Sequence, residues 1–120
     1  RTDTPVVVQD LEDRPDDGGG VLTASWSLVH DEDFARYLIF LNEGPWTNPP
    51  GELDLLGQAP DKAVSLHSRL AADIETAGGQ PLKDGTDYYA VAVVEYSDGR
   101  WGKVSAPFGP ASPSDEVPRA

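Results

Sequence analysis

"PLKDGTDYY", residues 81–89, decides how the rest of the chain is read. Leu82 is apolar, Asp84-Gly85 is a turn pair, Thr86 favours extended backbone, and Tyr88 opens the apolar run "YYAVAVVEY" (88–96). A leucine, a tight turn and a tyrosine set just ahead of a strand raise the question whether the chain crosses between two sheets here. Such a stretch speaks of architecture before chemistry.

Strand signals lie on both sides of it. "VLTASWSLV" (21–29) alternates, with Leu22, Ala24, Trp26 and Leu28 on one face and Thr23, Ser25 and Ser27 on the other, the period of a half-buried strand. "DDGGG" (16–20) before it reads as a loop, and "PVVVQDL" (5–11), β-branched after a proline, reads as an edge strand. "ARYLIFLN" (35–42) and the 88–96 run are apolar on both faces, so something must cover both sides of each. "EGPWTNPPGELDLLGQAP" (43–60) is broken by prolines and glycines and reads as irregular. In "VSLHSRLAADIET" (64–76), Val64, Leu66, Leu70, Ala72 and Ile74 share even register. Leu66, Leu70 and Ile74 also fit a helical spacing, but the neighbouring strands favour one or two strands here. Asp98-Gly99 within "SDGRWGKVSAPF" (97–108) signals a hairpin. The tail "GPASPSDEVPRA" (109–120) reads as a Pro/Ser-rich linker. Six or seven short strands without a convincing helix predict a single antiparallel β-sandwich over 1–108.

The composition narrows the function classes. The chain has 120 residues, no cysteine and no methionine, and a formal charge of −12 with only three lysines, Lys62, Lys83 and Lys103. It must therefore live on its apolar core, without disulfides or cysteine-held zinc. Lacking methionine and beginning at Arg1, it reads as a piece cut from a longer protein. The acidic balance argues against nucleic acid, whose phosphates need a basic patch, and against anionic membrane surfaces. It suits either a well-solvated acidic domain or salty surroundings that screen self-repulsion. No apolar run approaches the roughly 18 residues of a membrane span.

Motifs of chemistry are thin. His30 and His67 stand apart without a companion motif, no G-x-S-x-G elbow occurs, and "DDGGG" leads into a strand rather than a phosphate-binding helix. Neither catalytic residues nor a cofactor is expected. Carboxylates crowd two loops, Asp10 to Asp17 and Asp31 to Asp33. Asp13, Asp16 and Asp17 are the best oxygen ligands for calcium, but Pro15 breaks the EF-hand spacing, and a solvated acidic loop with no bound metal is the expectation. "DGR" (98–100) reverses the integrin-binding tripeptide, and a hairpin turn explains it fully. Trp46 and Trp101 could form a platform for a sugar ring with Tyr96 nearby; capping a core edge is the plainer role for them.

At its corner the chain resembles the fibronectin type III family, whose turn before the sixth strand commonly reads L-x-P-G-T-x-Y. Leu82, Gly85, Thr86 and Tyr88 match in place, and Asp84 stands where proline is usual. Trp26 matches the family's buried tryptophan on the second strand, and Tyr37, Ile39 and Leu41 match the inward positions of the third. The resemblance runs from Pro5 to Phe108, with two departures: a long connection from Glu43 to Pro81, and the small Ala90 and Ala92. It implies an immunoglobulin-like sandwich of about seven strands, with Trp26 in the core, Leu82 filling the space under the corner, and the Tyr88 hydroxyl bonded to backbone around Leu82 to Gly85. It also implies a non-catalytic spacer, scaffold or adhesion module of a secreted or cell-surface protein, most naturally a prokaryotic one. Neighbouring domains, or another surface protein or glycan, would be its partners. The runner-up is an accessory module of a polysaccharide-processing enzyme.

With Tyr37 and Tyr88 inward, alternation turns Leu38, Phe40, Tyr89, Val91 and Val93 to the outer face as one apolar patch. A two-residue Asp98-Gly99 turn would add Val104, Ala106 and Phe108 to it, whereas a three-residue turn with a bulge would return them to the core. Either the 43–60 segment, with Trp46, Leu53, Leu55 and Leu56, covers this patch, or it is a docking surface for a neighbouring domain or a second copy.

Overall fold

The computed structural model describes residues 6–13, 20–29, 33–43 and 59–113. Among them the chain is all β, with nine strands and no helix. In chain order these are β1 (Val8–Asp13), β2 (Leu22–Trp26), β3 (Phe34–Asn42), β4 (Lys62–Val64), β5 (Ala71–Ile74), β6 (Thr76–Ala77), β7 (Gln80–Pro81), β8 (Tyr88–Tyr96) and β9 (Phe108–Ala111). One antiparallel sheet has the order β1-β2-β5 and the other β4-β3-β8-β9, while β6 and β7 form a separate small hairpin. The expected count of about seven strands is exceeded because the long connection after Glu43 carries this hairpin.

The alternation of β2 does what its period demands. Leu22, Ala24 and Trp26 are buried and meet Ile74 and Ala72 of β5 on one side and Leu11 and Val8 of β1 on the other. A bulge between Val8 and Asp10 lets two β1 residues three apart both point inward. From the other sheet, Tyr37, Ile39 and Leu41 of β3 and Tyr88, Ala90, Ala92, Val94 and Tyr96 of β8 complete this core. The small Ala90 and Ala92 share it with large aromatics, the Trp26 and Tyr37 rings lying 5.7 Å apart. Trp26 Nε1 finds no acceptor among the described residues, a cost that the burial of the large ring outweighs.

Two even-register expectations fail. Leu28 is 36% exposed and Leu66 63% exposed. The β2 ladder ends at Trp26, after which Val29, not Leu28, turns into the core. Leu66 sits in the turn between β4 and β5, where its carbonyl accepts the Arg69 N–H, so no strand sets its direction.

The outer face of the second sheet is also packed. Leu38, Phe40, Val91, Val93 and Val104 form a second buried cluster, with Trp101 against it and Phe40 and Val91 both at 0% exposure. Leu38, Phe40, Val91 and Val93 are thus interior and offer no bare interface. Tyr89 lies outside this cluster, only half-buried, with Gly109 packed close along its ring. Trp46, Leu53, Leu55 and Leu56 lie outside the described residues.

The final strand departs most from its sequence reading. Gly99 N–H donates to Tyr96 O at 2.8 Å and Tyr96 N–H to Arg100 O at 2.7 Å, closing a three-residue loop with Gly99 at φ +86°. The returning chain then uses two more residues than β8 between the Glu95–Trp101 and Ala90–Phe108 pairings, and another before Tyr88–Ala111. These bulges split the trio that alternation kept together. Val104 joins the outer cluster, Ala106 is exposed, and Phe108 packs on the inner core. Residues 109–111 therefore belong to the sheet, and the domain extends past residue 108 at least to the buried Pro113. A Cβ on Gly109 would stand 2.7 Å from the Tyr88 carbonyl oxygen, which holds β9 close at this crossing.

Trp26 unites both sheets, so Trp26→Ala is expected to cost about 3–5 kcal/mol in urea unfolding. Native-like stability of that variant would show that the inter-sheet core does not depend on this ring.

Candidate functional site

The corner collects chain from both sheets at one end of the sandwich. Tyr88 is 2% exposed, and its hydroxyl accepts the Lys83 N–H at 2.8 Å. Thr86 N–H donates to Lys83 O at 3.2 Å, and Gly85 at φ +80° makes the turn. Leu82, buried beneath, donates its N–H to Glu75 O just after β5. Asp84 adds a tie of its own: its Oδ1 accepts the Gly20 N–H at 2.8 Å, immediately ahead of β2. On the far side Gly85 N–H donates to Pro113 O at 2.9 Å, and the Ser112 hydroxyl to Asp87 Oδ1 at 3.0 Å.

A cleft of about 330 Å³ opens beside this corner, lined by Glu43, Ala77, Gln80, Pro81, Leu82, Lys83 and Tyr88. Its apolar lining is the buried Leu82 and Tyr88, the half-buried Ala77 and the exposed Pro81, and Glu43, Gln80 and Lys83 are exposed as well. Asp61 braces the small hairpin that forms one wall. One of its carboxylate oxygens accepts the Leu41 N–H at 2.8 Å. The other accepts the Thr76 hydroxyl at 3.0 Å and the Gly79 N–H at 3.3 Å. No sequence motif marks this cleft; the lone Asp61 gives no local signal because its partners lie far along the chain.

The other residues singled out from sequence take structural positions. Trp101 packs on Phe40, ring centroids 5.9 Å apart, and pairs across the bridge with Glu95, so it covers the outer cluster rather than standing free as a platform. Arg36 Nε meets Glu95 Oε1 at 2.6 Å. That hydrogen bond holds the Glu95 carboxyl below its ordinary range, against partial burial, which raises it. At the opposite end His67 is a clip. Its Nε2 bonds to the Val29 carbonyl, its own carbonyl accepts the Tyr37 hydroxyl at 2.8 Å, and its ring meets Phe34 edge-on. Burial pushes the Tyr37 phenol up, partly offset by the Val29 N–H. Asp13 ends β1 opposite Leu22, and no group of three metal-ligating side chains occurs among the described residues. Asp16, Asp17, His30 and Trp46 lie outside them.

Tyr88→Phe is expected to cost about 0.5–1.5 kcal/mol, the net worth of one such hydrogen bond, read from urea midpoints. Unchanged stability would mean that the corner stands without its hydroxyl. Glu95 has a depressed folded pKa, so its stabilisation is present above the unfolded carboxyl value and disappears as pH falls through the folded one. The pair is partly solvated, which limits the effect to about 1 kcal/mol or less. Glu95→Gln should accordingly lose less stability than the parent on acidification; identical acid limbs would remove Glu95 from the account. No family model, curated protein or solved structure matches the chain.

Proposed function

We propose that the chain is a non-catalytic module of the fibronectin type III kind, working as a spacer, scaffold or adhesion unit within a larger extracellular or cell-surface protein. The observation that carries this reading is where the described chain enters and leaves the sandwich. Val7 N–H donates to Ser27 Oγ and Ser27 N–H to Val7 O, beside the end where β2 and β8 finish. Pro113 is held by Gly85 at the other end, where β2 and β8 begin. A unit entered at one end and left at the other adds its length to a serial array. The buried tyrosine corner and the inter-sheet tryptophan support the family, though that fold hosts many unrelated roles.

The test is replacement inside the parent protein by an unrelated rigid domain of similar end-to-end length. A spacer tolerates the exchange, and the parent keeps its adhesion or assembly. Loss of that activity with the replacement folded would overturn the spacer role and assign specific recognition to this domain's surface.

A further inference from the structure

We infer that the cleft beside the corner is a peptide-docking site, taking one apolar side chain from an extended, basic segment of a partner protein. Its volume of about 330 Å³ sits at the low end of ligand pockets, enough for a single side chain and too small for a large cofactor. The buried Leu82 and Tyr88, with Pro81 and Ala77, give an apolar seat. Within the lining Glu43 and Lys83 balance, and the excess of carboxylates lies on the exposed chain next to it. Glu43 is on the rim, Glu75 is bonded through its carbonyl to Leu82, and Asp84 and Asp87 flank the corner, against the single ammonium of Lys83. Neither Glu43 nor Lys83 has an ion-pair partner among the described residues, so the Glu43 carboxylate is open to a cation. The whole chain, at −12, adds a field that draws basic partners and repels acidic ones. A spacer needs no such site, so this inference and the modular reading stand or fall separately.

The probes are two capped tripeptides, acetyl-Lys-Leu-Lys-amide and acetyl-Glu-Leu-Glu-amide, titrated to millimolar concentration into the isotope-labelled chain while its amide spectrum is followed. The basic peptide is expected to shift the Ala77, Gln80, Lys83 and Tyr88 amides saturably, and the acidic one to leave them in place. Glu43→Gln should weaken the basic peptide about two- to five-fold, the worth of one exposed ion pair. Gln80→Trp, at an exposed rim position that the core does not use, should fill the seat and abolish binding while the rest of the spectrum stays native. Absence of cleft shifts with either peptide would overturn the inference. So would equal shifts with both, or binding that survives Gln80→Trp.

Discussion

The bond from the Lys83 N–H to the Tyr88 hydroxyl constrains more of the molecule than its own energy suggests. A tyrosine ring buried at the start of β8 can meet that N–H only if residues 83–88 fold back over the ring. Once folded back, the loop presents its remaining polar groups in fixed directions. Leu82 reaches the end of β5, Asp84 the residues ahead of β2, and Gly85 the chain beyond β9. Four segments far apart in sequence, drawn from both sheets, are thereby set against one another. The net worth of each bond is about 1 kcal/mol, yet all of them need the same loop shape. Losing that shape would forfeit them together, so the corner acts as a cooperative unit rather than a sum of contacts.

Asp61 performs the matching task for the long connection. Chain returning to the sandwich after Glu43 must pair with β3 and also carry an extra hairpin. One carboxylate serves both ends of that problem: its Oδ2 takes the Leu41 N–H at the edge of β3, and its Oδ1 takes Thr76 and Gly79 in the hairpin. Leu41 is buried, so its N–H without this acceptor would bear a desolvation cost of about 1–3 kcal/mol. The hairpin wall of the cleft is thus fastened to a central strand through a charged group. The long connection thus ends in a built structure, the hairpin that Asp61 holds.

What the sequence made legible follows from where the information sits. Alternation in "VLTASW" is local and strong, and it placed Leu22, Ala24 and Trp26 correctly. It said nothing of where the ladder stops, and Leu28 was lost by that omission. The two-sided apolar runs correctly announced that both faces of β3 and β8 are covered. The last strand was illegible beyond its turn. Bulges cost one residue each and leave no compositional trace, yet each flips every later side chain to the other face. The cleft was invisible for a different reason. Glu43, Gln80 and Lys83 are ordinary surface residues in sequence, and only the fold, with Asp61 holding the hairpin, brings them around one apolar seat.

These packing facts decide which surfaces are left for a partner. With Phe40 and Val91 buried, the outer face of the second sheet is spent on a second core. The outer face of the first sheet carries Thr23, Ser25, Ala71 and Asp73, small and polar groups of which Thr23 already donates to Asp73 at 2.8 Å. Such a face has little apolar area to remove from water, and area removed from water supplies most of the drive for association. The ends differ. One exposes Leu66 and Val7 beside the incoming chain, and the other opens the cleft beside the outgoing chain. A sandwich that buries both faces of one sheet therefore leaves its exposed apolar groups and its cleft at the ends. Burying a second core and leaving apolar groups exposed only toward the ends are two consequences of the same two-sided strands.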